Sequence, residues 1–406
     1  MTSLAPSSLV EPAPVRAAMR GERGVALWLF GCAAMIFLMV VIGGVTRVTE
    51  SGLSITEWQP ISGVIPPLSA ADWTQEFDHY KAIPQYQAIH AGMTLGEFKT
   101  IFFWEYLHRL WGRLIGVAFG VPFLWFLATR RLSWALAPKL AVLFVLGGLQ
   151  GALGWYMVES GLANRIEVSQ YRLVAHLLAA VALYLAIIWV GLDLLRRLPL
   201  TFPELRSGPL PLPPKRGRGA NNPSPTKRER EGPVAQQREG EGMAPRTLRH
   251  ALTALLALAL VTFAAGGFVA GLRAGYVYNT FPLMNGYVIP PDYVTTTPWY
   301  LNPFESLAAA QFDHRVLAEL TWLSAIGVWL WSLRRDLDPG LRLALHALAG
   351  VATLQLGLGI ATLLLVVPIP LAVAHQAGAL LLVTTTLVAR HAAARRKMDA
   401  LSPAAL

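Results

Sequence analysis

The chain has 406 residues, of which 54% are hydrophobic and only 14% charged, and its mean hydropathy is +0.46. That excludes an ordinary soluble enzyme, whose surface needs more charge, and makes a lipid bilayer the natural solvent. The formal charge of +10 is the kind a membrane protein carries on its cytoplasmic loops, so lipid rather than nucleic acid is the expected partner.

Residues 1–24 form a polar tail containing Arg16, Arg20 and Arg23. The run from Val25 to Val45 has no charge and is long enough to cross a hydrocarbon core of about 30 Å, so it reads as an uncleaved first helix and not as a signal peptide. Cys32, the single cysteine, lies inside that run and cannot form an internal disulfide or a cysteine metal site.

Hydropathy predicts spans at about 25–46, 101–127, 137–158, 172–195, 249–272, 306–332, 341–365 and 371–392. Alternate connections hold the basic residues: Arg130, Arg131 and Lys139, then Arg196 and Arg197, then Arg334, Arg335 and Arg342, and finally Arg395, Arg396 and Lys397. The positive-inside rule therefore places both termini in the cytoplasm and the long loop from Arg47 to Thr100 outside. Between residues 198 and 248 the composition shifts to Pro, Gly, Lys, Arg and Glu without apolar periodicity, which predicts a disordered cytoplasmic linker.

The two sides of that linker resemble each other. Val174-Ala175-His176 recurs as Val373-Ala374-His375, His108-Arg109 as His314-Arg315, and Gly43-Gly44 as Gly266-Gly267; Gly147-Gly148 answers to Gly357 and Gly359. The expected fold is an all-α integral membrane protein of eight transmembrane helices, arranged as two pseudo-symmetric four-helix bundles. One occupies residues 25–197 and the other 249–392, followed by a cytoplasmic tail at 393–406.

Four histidines, His108, His176, His314 and His375, fall early in spans two, four, six and eight, at comparable depth near the outer face. Two imidazoles facing across a bundle can clamp a heme iron from both sides, whereas zinc asks for more ligands. The other histidines, His79, His90, His250, His346 and His391, read as surface or packing groups.

Charges inside a span are costly and normally face a cavity or a partner. Glu105 and His108 lie three residues apart, and Arg109 and Arg113 four apart, so each pair shares a helix face. Arg109, Arg113 and Arg315 have two readings of equal weight, as partners of heme propionates or as interfacial side chains reaching toward water. The second half has Gln311 where the first has Glu105. A carboxylate can move protons and an amide cannot, so the first bundle is read as the site of chemistry and the second as a store for a permanent heme; the bland alternative is that Glu105 simply pairs with Arg109. Asp313 and Glu319 read as structural partners of arginines.

These residues resemble the heme A synthase family, in the form shared by many proteobacteria and mitochondria. The specific matches are Gly43-Gly44-Val45-Thr46-Arg47 through Ser51-Gly52-Leu53-Ser54, Glu57-Trp58-Gln59-Pro60, Glu105-Tyr106-Leu107-His108-Arg109, and Tyr278-Asn279-Thr280-Phe281-Pro282-Leu283-Met284. The resemblance covers both halves and leaves out the linker. It implies oxidation of the C8 methyl of heme O, through a hydroxymethyl intermediate, to the formyl group of heme A. It further implies a resident heme b on His314 and His375, and substrate heme contacted by His108 and His176, with Glu105 in a catalytic role. The cysteine pair that some bacterial relatives carry in outer loops is missing.

No Arg- and Ser-rich transit peptide is evident, which predicts a bacterial plasma membrane location rather than an organelle; the resemblance implies a handover with heme O synthase or the cytochrome c oxidase assembly machinery, and homo-oligomerisation stays open. The Trp-, Tyr- and Pro-rich outer loop is expected to cover the heme site or receive the farnesyl tail. Two other readings compete: a b-type membrane cytochrome that passes electrons without modifying heme, and a transporter. Same-orientation halves with histidines near one face fit a midplane transport site poorly.

Overall fold

A computed structural model describes residues 13–163, 165–197 and 246–394. Most of the predicted linker and the C-terminal tail lie outside the described residues. Among the described residues the fold is all-helical, with one isolated bridge between Met284 and Tyr287 and no strand.

The chain forms α1 (Ala13–Val48), α2 (Ala70–Lys81), α3 (Pro84–Ile89), α4 (Leu95–Ala128), α5 (Ala137–Ala163) and α6 (Gln170–Arg197). After the linker come α7 (Arg246–Leu272), α8 (Asn302–Glu305), α9 (Leu307–Ser332), α10 (Pro339–Leu364) and α11 (Ile369–Ala392). Seven of these helices are long and apolar enough to cross a membrane. The protein is an all-α membrane protein. The remaining long helix, α9, has 26 residues but carries Asp313, Arg315 and Glu319 in its first half, which lowers its apolarity below that of the others.

Local chemistry sets the helix starts. α4 begins before the apolar run that predicted it, because Thr94 and Glu97 form a capping box: the Glu97 amide donates to Thr94 Oγ1 at 3.3 Å, and the Thr94 amide to Glu97 Oε2 at 2.8 Å. Asp338 caps α10 by accepting from the amides of Gly340 and Leu341, and Ser306 caps α9 through the amide of Ala309. The loop before α4 is itself structured. α2 packs on the start of α4 through Phe77, Tyr80, Phe98 and Phe102, which share one buried aromatic cluster, and α3 joins it through Tyr86, whose ring meets those of Phe77 and Tyr80.

Within the first half α1 packs on α4 and α6; within the second, α7 packs on α9 and α11 packs on α10. The halves meet along α1 with α11 and α6 with α7. Adjacent glycines make both contacts. A Cβ on Gly44 would meet the Gln376 side chain of α11, and one on Gly267 would meet Val174 of α6, so the second glycine of each doublet lets the halves approach. Gln376 Nε2 also donates to the Val40 carbonyl at 2.8 Å, and the hydroxyls of Tyr184 and Thr384 lie 2.9 Å apart. By contrast α5 turns Val142, Val145 and Leu149 outward, the exposure expected where lipid is the solvent.

Charged groups close both ends of this seam. At one end Arg47, Glu50, Glu167 and Arg273 form a chain of ion pairs in which Arg273 reaches both glutamates, and His90 Nε2 lies 3.2 Å from Glu50. Arg47 also donates to the carbonyls of Ala270 and Gly271 at the end of α7. At the other end buried His391 of α11 lies 2.8 Å from Asp193 of α6 and stacks edge-on to Trp189, which makes it a packing group.

Candidate heme sites

Each of the four intramembrane histidines lies against a glycine on a neighbouring helix. A Cβ would stand 3.0 Å from His108 Cε1 at Gly43, 2.8 Å from His176 at Gly154, 2.9 Å from His314 at Gly266, and 2.8 Å from His375 at Gly359. A side chain there would push the imidazole off its position, so the first glycine of each doublet is a seat for a ring. In the third span that seat is Gly154. Gly147 and Gly148, paired with Gly357 and Gly359 in the sequence, have nothing within 4 Å of a built Cβ.

In the second half the His314 and His375 ring centroids lie 6.3 Å apart, with the ring planes at 79° to each other. Iron bonded to both Nε2 atoms at roughly 2 Å, with about 1.1 Å from each nitrogen to its ring centre, asks for a centroid separation of about 6 Å. The observed spacing fits a bis-histidine heme. Among the described residues no group of three or more His, Cys, Asp or Glu side chains is placed to hold a bare metal ion. The remaining ligands would have to come from a macrocycle.

Neighbouring polar groups meet the Nδ1 atoms of three of these rings. The Gln150 amide nitrogen lies 3.0 Å from His176 Nδ1 and donates to the His176 carbonyl at 2.7 Å; Gln355 does the same for His375, at 3.0 Å in both contacts. His314 Nδ1 is 3.2 Å from the Thr262 carbonyl. His108 Nδ1 is buried with no hydrogen-bond partner. Gln150, Gln355 and Thr262 did not emerge from the sequence reading, although Leu149-Gln150-Gly151-Ala152-Leu153-Gly154 and Leu354-Gln355-Leu356-Gly357-Leu358-Gly359 are a legible repeat.

One turn before each α4 and α9 histidine, a buried polar residue and the following arginine tie down the loop that precedes the helix. Glu105 Oε2 accepts from Ser54 Oγ and the Ile55 amide, both at 2.8 Å, and its Oε1 accepts from Arg109. Arg109 donates in turn to the Ile55 and Glu57 carbonyls, and Arg113 to those of Gln59 and Pro60. In the second half Gln311 Nε2 donates to the Ala274 and Val277 carbonyls, while Arg315 donates to Gln311 Oε1 and the Tyr278 and Thr280 carbonyls. Arg113 Nη1 and Arg315 Nε are buried without a partner. Asp313 accepts from the Tyr293 hydroxyl at 3.0 Å, and neither it nor Glu319 forms an ion pair with an arginine among the described residues, which corrects that expectation. On the loop held by Arg315, the Tyr278 phenol donates to Asp292, and this bond pushes its pKa up to about 12.

Comparison with known proteins gives the geometry a context. The family model described as cytochrome oxidase assembly protein matches residues 26–212 and 226–387. The heme A synthase of Nitrosospira multiformis is 48% identical over 373 residues, 91% of this chain and 93% of its own length. The chain belongs to the heme A synthase family. The enzymes of that name from Rhodospirillum centenum (47% identical over 94% of this chain and 91% of theirs) and Parvibaculum lavamentivorans (46% over 88% and 91%) tell the same story. With these bacterial relatives and its apolar helices, the chain is a multi-pass bacterial membrane protein.

Proposed function

We propose that this chain oxidises the C8 methyl of heme O, through a hydroxymethyl intermediate, to the formyl group of heme A. The observation that carries the reading is the histidine–glycine seat made four times, twice in each half, with a carboxylate beside one pair and an amide beside the other. α9 supplies the eighth span, giving two pseudo-symmetric four-helix bundles, with the termini and the 198–248 linker on the cytoplasmic side of the inner membrane.

In this reading His314 and His375 hold a resident heme b, the spacing of their rings being its main support. A heme b bound there supplies one-electron redox capacity. The first bundle receives heme O between His108 and His176. Glu105 is the acid–base group of that site: it is buried, one turn from His108, and shares a hydrogen bond with the Ser54 hydroxyl through which a proton can pass. Arg109 and Arg113 fix the loop above the substrate, and the unsatisfied N–H groups of Arg113 and Arg315 point to a propionate on each heme. Substrate arrives from heme O synthase and product leaves to cytochrome c oxidase assembly.

The test is to purify the full chain from cells that also express a heme O synthase and to identify its extracted hemes by chromatography with mass detection. Heme b together with heme O, the hydroxymethyl compound or heme A is the expected result. Heme b alone, at two per chain, would replace this reading with a b-type electron carrier.

A further inference from the structure

The two halves differ in how one pair of helices closes. In the second half Trp322 Nε1 of α9 donates to Thr353 Oγ1 of α10 at 3.2 Å, and Ala325, Ala349 and Ala352, each within about a turn of that bridge, are buried. The register set by His108 and His314, and by Gln150 and Gln355, puts Gly116 of α4 where Trp322 stands and Gly148 of α5 where Thr353 stands. Glycines cannot make the bridge. Phe119 and Phe144 replace Ala325 and Ala349, and their rings stack with centroids 5.9 Å apart, so α4 and α5 meet there through two rings where the second half has two methyls. On the loop side of those rings a gap remains. A Cβ on Gly116, Gly147 or Gly151 would meet nothing within 4 Å, and all three are exposed, whereas Ala352 and Leu356, the counterparts of the last two, are buried and half-buried. Phe144, Gly147, Gly151 and Trp155 recur every three or four residues and so share the face of α5 that meets α4.

We propose that this gap, at Gly116 and Gly151, takes the farnesyl tail of heme O and opens the substrate site sideways to lipid. The proposal rests on the reading of the first half as the substrate site. Heme O carries its propionates on one edge of the ring and its farnesyl chain on the opposite edge. The gap has the same polarity. At its loop end Trp58 stacks on Trp155 with centroids 5.5 Å apart, the Arg109 guanidinium lies 5.7 Å over the Trp155 ring, and Arg113, one turn from Gly116, holds Nη1 buried without a partner. Beyond these groups no charge stands in α4 from Leu114 to Thr129 or in α5 from Leu140 to Val158. The stretch of α5 from Trp155 to Phe144 is roughly 16 Å long, and Gly151 lies one turn from Gly154, the seat of His176. The second half, read as the store of a heme b without such a tail, has the same place bridged.

The experiment titrates the purified full chain, carrying its heme b, with heme O and with hemin, which has a vinyl group in place of the tail. Gly116→Trp and Gly151→Leu each install the side chain of the second half and are compared with the unsubstituted chain in one detergent. The unsubstituted chain is expected to bind heme O about tenfold or more tighter than hemin, because the tail adds buried apolar surface. Gly116→Trp should weaken heme O about tenfold or more and Gly151→Leu about fivefold, while hemin stays within about twofold in both. An unchanged heme b spectrum shows that each variant is folded; should Gly116→Trp lose heme b, Gly151→Leu decides alone. Unchanged heme O affinity in the folded variants would place the tail elsewhere and leave the gap to lipid chains, which overturns the proposal. Equal weakening of heme O and hemin, or equal affinity for the two in the unsubstituted chain, would overturn it as well. An unsubstituted chain that takes up neither heme beyond its heme b would overturn the functional reading beneath it.

Discussion

Glu105 and Gln311 occupy the same register on α4 and α9 but hydrogen-bond to the loops above them in opposite senses. Glu105 accepts from a hydroxyl and an amide, and Gln311 donates to two carbonyls. Each loop is built for its own partner, so the two residues cannot be exchanged freely. At this position only the glutamate offers an acid–base group, and that group is buried against Ser54 and Arg109.

Glu105→Gln should therefore separate chemistry from heme binding. The amide keeps one acceptor for Arg109 but turns its NH2 toward donors in the loop, a mismatch costing about 1–3 kcal/mol of local stability. Heme b is expected at full occupancy, with heme A production down at least 100-fold, in line with the loss of general acid–base catalysis. Heme extraction from the variant checks both quantities. Unchanged heme A yield would remove Glu105 from the chemistry.

The glycine seats give a second, more selective prediction. Gly266→Ala places a methyl 2.9 Å from His314 Cε1, and Gly43→Ala places one 3.0 Å from His108 Cε1. The neighbouring ring must move, at a cost of roughly 1–3 kcal/mol for an overpacked site. Gly266→Ala should deplete heme b, whereas Gly43→Ala should leave it intact and lower only heme A formation. Gly148→Ala, which meets nothing within 4 Å, is the control and should change neither. Optical spectra of the three purified variants decide the matter.

Much of this was legible in the sequence because it rests on chemistry that membranes make rare. His108, His176, His314 and His375 stand out as polar groups in apolar helices, and their repetition is what the expectation of a duplicated unit rests on. The groups that meet the histidine Nδ1 atoms were harder to read. Thr262 holds His314 through a backbone carbonyl, which any residue could offer, so nothing in its side chain announces the contact. The arginines after the histidines left two readings open; the structure shows them engaged with loop carbonyls, contacts that depend on how the chain from Glu50 to Pro60 folds back and not on helical spacing. α9 fell short in apolarity for the same reason that it drew notice: the charged residues around His314 lower its hydropathy.

The ion-pair chain at one end of the seam predicts a stability effect away from both heme sites. Arg273 reaches Glu50 and Glu167, two carboxylates from the other half, and its side chain is one-third exposed. Partial exposure limits a single pair to well under about 1 kcal/mol, but two pairs lost together, with Glu167 left to Arg47 and Glu50 to His90, should cost about 1–2 kcal/mol. Arg273→Ala is expected to lower the thermal midpoint in detergent by a few degrees, with native heme spectra at low temperature. Glu50→Gln in that background should recover part of the loss, because it removes one of the two carboxylates that lose Arg273. An unchanged midpoint in Arg273→Ala would mean that the other contacts between α1, α6, α7 and α11 hold the halves together without it.

The arginines provide the sharpest test of which heme lies where. Arg113 spends Nε and Nη2 on the Pro60 and Gln59 carbonyls and leaves Nη1 buried without a partner; Arg315 spends both terminal nitrogens and leaves Nε. A buried N–H with no acceptor costs about 1–3 kcal/mol, so the arrangement favours a ligand that brings an oxygen. Arg113→Gln should reduce heme O retention about tenfold and leave heme b untouched, while Arg315→Gln should do the reverse. Lysine should rescue each only partly, since a point charge cannot hold the loop carbonyls and a carboxylate together as the planar fork does. If both variants lost the same heme, or neither lost any, the unpaired N–H groups would belong to the loops alone and the propionate assignment would fail.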